Sequence, residues 1–155
     1  MQRRSVLFAV LLSGLTFAAG PLPYNEQADA KAEVRQALLE ARAANVPVLV
    51  IFGANWCEDC RALDNAVKTG KNAELMAKSF KVVKVDIGNF NRNLDLVAAY
   101  GEPIKKGIPA AVVISADNEV LYATRAGELA NARRMSDSGI HEFFSKAVDR
   151  TTSRK

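Results

Sequence analysis

An α/β fold, with a central mixed β-sheet flanked by helices and an extra helix at its N-terminal end, is the class this chain predicts. Three observations carry it. Apolar runs of strand length alternate with segments of helical period in the order α-β-α-α-β-α-β-β-α, the pattern of a sheet covered by helices. Pro47-Val48-Leu49-Val50-Ile51-Phe52 is nearly continuous in apolar residues, several of them β-branched, as a strand covered on both faces requires. A length of 155 residues, 49% hydrophobic and 25% charged, suits one core and falls short of two.

Met1 to Ala19 reads as a leader. Arg3 and Arg4 precede fourteen residues, Val6 to Ala19, that carry no charge, which is the profile of a cleaved signal peptide. As a helix that run reaches only about 21 Å, less than the hydrocarbon thickness of about 30 Å, so a permanent anchor is the weaker reading. Small residues at Thr16, Ala18 and Ala19 suit a peptidase, and no Cys follows the run to accept a lipid. The expectation is export, to a periplasmic or secreted location, with no stable membrane anchor after cleavage. Without Arg3 and Arg4 the 21 basic residues become 19 against 17 acidic ones. The cations are dispersed among acids, which excludes nucleic acid as the partner expected from charge.

Residues 20–45 form the N-terminal helix and linker, and 46–150 the main domain. Val34, Leu38 and Ala41 recur at helical spacing within Glu26 to Ala44, which stops before Asn45-Val46-Pro47. The strand at 47–52 is expected at the sheet centre. Gly53-Ala54-Asn55-Trp56 turns the chain into a helix from Cys57 to Val67, with Leu63 and Val67 four apart and Thr69-Gly70 as a stop. Asn72 to Lys78 reads as a short helix, Phe80 to Ile87 as a strand, and Leu94 to Tyr100 as a helix closed by Gly101 and Pro103. The last helix starts near Ser136 or Ser138 and runs to about Asp149, burying Ile140, Phe143, Phe144 and Val148.

Chemistry concentrates at Cys57 and Cys60, the two cysteines of the chain. A bridge across only Glu58 and Asp59 closes a small ring and removes little entropy from the unfolded chain, so a stabilising disulfide is a poor explanation. A structural zinc site needs four ligands, and the pair has only the distant His141 to add; neither a metal nor another cofactor is expected. Redox exchange remains. A helix N-terminus stabilises an anion, so Cys57 is the expected nucleophile and Cys60, one turn deeper, the resolving thiol.

Phe52-Gly53-Ala54-Asn55-Trp56-Cys57-Glu58-Asp59-Cys60-Arg61 resembles the active-site segment of the thioredoxin superfamily. Gly107-Ile108-Pro109 leading into the strand Ala110 to Ile114 resembles that family's Ile-Pro step. The Asp117-Asn118 turn, the strand Glu119 to Arg125 and Gly127 resemble its final hairpin. The similarity spans about residues 46 to 149, and the three segments together are far more specific than a lone Cys-x-x-Cys. Cys60-Arg61-Ala62-Leu63 with Gly53-Ala54 is similar to the exported thioredoxin-like group that contains the C-terminal domain of the membrane thiol:disulfide interchange reductase.

The resemblance implies a thioredoxin-like fold for 46–150, a redox-active Cys57-Cys60 disulfide, and a cis Ile108-Pro109 bond facing it. Trp56, Glu58, Asp59, Ile108 and Pro109 would then frame the substrate, the Ile108 backbone pairing with an extended segment. His141 stays structural or solvated. Two departures bear on mechanism. The intervening pair Glu58-Asp59 is doubly acidic and competes with the thiolate for the helix field, which favours a reductant or mild exchanger. Where many thioredoxins carry a buried Asp, six residues before the first Cys, this chain has Ile51; Glu58, Asp59, Lys84 or water are the candidate substitutes for proton transfer. The expected activity is protein-disulfide reduction or exchange, with protein disulfides as substrates and a membrane electron donor as implied partner. The alternatives are a thiol-based Cu(I) metallochaperone, since thiolates suit that soft ion, and a non-catalytic binding module on the same fold.

Overall fold

The computed structural model describes residues 20–152, so the leader expected at 1–19 lies outside the described residues. Helix α1 spans Ala30–Ala44. It begins later than Glu26 because Asp29 caps it, its carboxylate accepting from the Ala32 N–H at 3.0 Å. Strand β1, Val48–Gly53, is buried along its whole length. Helix α2 runs Glu58–Val67, with Cys57 as its capping residue, and α3 runs Gly70–Ser79. Thr69-Gly70 is therefore a junction between two helices, with Gly70 taken up at the start of the second.

Strand β2 (Lys81–Asp86) is followed by α4 (Leu94–Ala99) and a 3₁₀ turn at Pro103–Lys106. Strands β3 (Ala110–Ile114) and β4 (Val120–Ala123) form the hairpin, β4 being shorter at both ends than Glu119 to Arg125. A second 3₁₀ turn at Ala132–Arg134 leads to α5, Asp137–Thr152, which continues past Asp149.

The sheet order is β2-β1-β3-β4. Strand β1 pairs parallel with β2, Ile51 opposite Lys84 and Gly53 opposite Asp86, and antiparallel with β3, Phe52 opposite Ala110. Alternation along β1 then divides the core. Val48, Val50 and Phe52 pack with Val34, Ala37 and Ala41 of α1, while Leu49 and Ile51 pack with Leu63, Ile140 and Phe144 of α2 and α5. Full burial of side chains of this size contributes about 1.5–3 kcal/mol each, so a strand covered on both faces is the most stabilising position in the sheet. Its C-terminal end feeds directly into the Cys57 turn, which gives the site a rigid base.

Candidate active site

Cys57 and Cys60 are joined as a disulfide with a Cα–Cα distance of 5.2 Å, within the usual range for such bonds. As the cap of α2, Cys57 has extended backbone and its Sγ accepts the Cys60 N–H at 3.1 Å. An amide N–H aimed at this sulfur, at the positive end of a helix, stabilises negative charge on it. The Ile108-Pro109 peptide is cis, and the Ile108 carbonyl oxygen lies 3.7 Å from Cys57 Sγ. Cys57 is 6% exposed and Cys60 1%, so any partner meets the outer sulfur first.

Trp56 stands beside the pair, 53% exposed, its indole N–H donating to the Gly88 carbonyl at 2.9 Å. Phe90 packs against it with ring centroids 6.1 Å apart. Phe90 is itself exposed and holds a left-handed backbone, φ 59°, that non-glycine residues avoid. It is not legible in the sequence, because nothing in the spacing of Phe90 brings it to Trp56.

Both carboxylates of the intervening pair turn to one cation. Arg133, from the 3₁₀ turn before α5, ion-pairs with Glu58, and its backbone N–H donates to Asp59 at 3.0 Å. The acidic dipeptide is thus partly neutralised, which reduces its competition with a Cys57 thiolate. Lys84 reaches neither Glu58 nor Asp59. It ion-pairs with Asp64 of α2, which also receives Lys68 at 2.6 Å. That bond holds the Lys68 pKa above its ordinary value. Asp64 is 7% exposed and stands four residues after Cys60, one helical turn along, so its spacing is the signal a sequence offers. A buried carboxylate therefore comes from α2, close to Lys84 and hence to the strand position occupied by Ile51.

His141 is elsewhere, its Nδ1 3.1 Å from the Asn72 side chain between α3 and α5. The N-terminal segment, in contrast, belongs to the site. Asn55, two residues before Cys57, accepts the Tyr24 N–H and donates to the Tyr24 carbonyl, both at 2.9 Å.

Residues 29–116 match the family described as thioredoxin-like. The chain belongs to that family. Among solved structures, a disulphide isomerase from Xylella fastidiosa Temecula1 is 56% identical, with a TM-score of 0.81, over 83% of this chain and 98% of that one. The oxidised C-terminal domain of Neisseria meningitidis DsbD is 18% identical with a TM-score of 0.52, over 76% of this chain and 96% of that one. A DsbH oxidoreductase is 19% identical with a TM-score of 0.56, over 90% and 93%. These two show the thioredoxin-like fold. Among curated proteins, thiol:disulfide interchange protein DsbD 1 of Pseudomonas aeruginosa is 32% identical over 60 residues, 39% of this chain. The match spans 10% of that protein's length.

Proposed function

We propose that this thioredoxin-like chain is an exported thiol–disulfide oxidoreductase that reduces or exchanges protein disulfides. One observation carries the reading: the Cys57–Cys60 disulfide sits at the N-terminus of α2 with the Ile108 carbonyl beside its outer sulfur. The 56% identity to a protein described as a disulphide isomerase supports the same chemistry. Export rests on the charge and hydropathy pattern of residues 1–19.

In the reduced enzyme the Cys57 thiolate attacks one sulfur of a substrate disulfide. A mixed disulfide forms and one substrate thiolate leaves. The Cys60 thiolate then attacks Cys57 Sγ, the second substrate thiolate departs, and the Cys57–Cys60 bond carries the oxidising equivalents. Two electrons pass to the substrate, and a dithiol donor at the membrane returns them. Trp56 and the Ile108-Pro109 edge frame the substrate, with Glu58 and Asp59 on its rim. An extended segment pairs with the Ile108 backbone while its apolar residues lie on Trp56.

The test is the reduction potential of the Cys57–Cys60 couple, set against a thiol buffer and followed by the fluorescence of Trp56, the one tryptophan of the chain. A value near the thioredoxin level of about −270 mV supports a reductase. A value near about −120 mV identifies an oxidant and reverses the direction of electron flow.

A further inference from the structure

The buried resolving cysteine must lose its proton in an apolar setting, and position 51, where many thioredoxins keep an acid, is Ile51. Desolvation raises a thiol pKa unless a donor meets the thiolate. The structure supplies a hydroxyl there from outside the matched family region. Tyr24 is 3% exposed and precedes α1. A Cβ placed on Gly53 would clash with both Tyr24 Oη and Cys60 Sγ, the latter at 2.9 Å, so hydroxyl and sulfur both face the space in front of Gly53.

This placement is built. Asn55 pairs with both backbone groups of Tyr24, and its amide also donates to Glu26 at 2.9 Å. Arg92 donates to the Glu26 carbonyl at 2.6 Å while ion-pairing with Asp86 at 3.0 Å. Burial, with the charges of Asp64 and Asp86 adding to it, pushes the Tyr24 pKa well above that of an ordinary tyrosine. The phenol stays protonated at neutral pH and so keeps its O–H as a donor.

We propose that Tyr24 is the hydrogen-bond donor that stabilises the Cys60 thiolate and so sets the rate of the resolving step. This inference rests on the exchange reaction proposed above. In the step, Cys60 gives its proton to water; a polar cleft of about 210 Å³, lined by Asn25 and Glu26 that follow Tyr24 in the chain and by Lys84, Asp86, Arg92 and Asn93, is large enough to hold water. The thiolate, held by the Tyr24 O–H, attacks Cys57 Sγ; the Cys57–Cys60 bond forms, the mixed disulfide breaks, and the partner leaves as a thiolate. The charged groups of this region are Asp64 with Lys68 and Lys84, Asp86 with Arg92, and Glu26, which accepts from Asn55. The carboxylates oppose the thiolate, the cations paired with Asp64 and Asp86 offset them, and Tyr24 adds the directed donor.

Reaction of the reduced, full-length mature protein with dithiobis-nitrobenzoate, an aromatic disulfide, separates the two steps. One nitrothiolate is released as Cys57 attacks, at a rate proportional to reagent. A second is released as Cys60 resolves, at a rate independent of reagent. In Tyr24→Phe we expect the first phase within about twofold of wild type and the second slowed about tenfold at neutral pH, its pH midpoint moved up by about one unit, as loss of a hydrogen bond to a charged group predicts. Above the midpoint the two proteins should converge. A second phase with an unchanged pH profile overturns the proposal, as does an equal slowing of both phases, which would mark a general structural loss. A second readout is the thiolate absorbance of Cys60 alone in a Cys57→Ser background, where Tyr24→Phe should raise the titration midpoint and an unmoved midpoint sinks the idea. Both signals persist whether or not the protein turns over a protein disulfide, so failure of the proposed function is seen separately.

Discussion

Gly53 shows how one missing side chain holds the site together. Its backbone is not left-handed, so the requirement is space: Tyr24 Oη, Tyr24 Cζ and Cys60 Sγ all stand closer to its would-be Cβ than real contacts allow. Neither neighbour is the free end of a flexible chain, since both are buried and one is in a disulfide. Gly53→Ala should therefore cost about 1–3 kcal/mol, the usual toll of overpacking. Urea unfolding would measure it, and in a Tyr24→Ala background the same change should cost less by at least about 0.5 kcal/mol. Equal costs in both backgrounds would mean Tyr24 does not press on this strand. Gly53 stands beside Trp-Cys-x-x-Cys in the sequence, but Tyr24 is 29 residues earlier and is brought there by core packing and by its bonds to Asn55.

At the scale of an element, α2 brings together the features that a Cys57 thiolate depends on. Its N-terminus directs the Cys60 amide at Cys57, its first turn carries two carboxylates, and the Arg133 turn covers them. In sequence Glu58 and Asp59 read as free charges, because Arg133 lies 74 residues from Asp59. Removing that guanidinium in Arg133→Ala exposes the Glu58 charge to the thiolate. The first, reagent-dependent phase with the aromatic disulfide should slow about twofold to threefold at low ionic strength and recover as salt is added, because the pair is solvent-exposed. Adding Glu58→Gln should restore the rate. A slowing that salt does not touch would point to a shifted turn instead of a charge effect. Helix boundaries are the other element-level differences: Asp29 begins α1 four residues late, and Thr69-Gly70 joins two helices where the sequence predicts a stop. Capping residues decide such ends, and several residues near each end could serve.

For the molecule as a whole, three tyrosines set an alkaline limit. Tyr24, Tyr100 and Tyr122 all have pKa values above the ordinary phenol, burial being the largest cause in each. Each keeps its proton in the fold after the unfolded chain has lost it. Their stabilisation is thus complete below about pH 10 and is lost as pH rises through the folded values. The urea midpoint should fall steeply above about pH 10, and Tyr24→Phe should fall less steeply because the most raised of the three groups is gone. Identical slopes would show that Tyr24 gives up its proton as readily in the fold as in the unfolded chain.

Local pattern by itself determined the element order, the central buried strand and the cysteine pair at a helix start. Each depends on residues within a few positions of one another, and apolar period, turn residues and spacing report such short-range constraints directly. The tertiary structure alone decided what surrounds the sulfurs. Asp64 meeting Lys84, Arg133 covering Glu58, Phe90 beside Trp56 and Tyr24 behind Cys60 all join elements far apart in the chain. Their meeting depends on strand order and helix packing, which no local spacing encodes, and the electrostatics of a buried thiol follows from those neighbours.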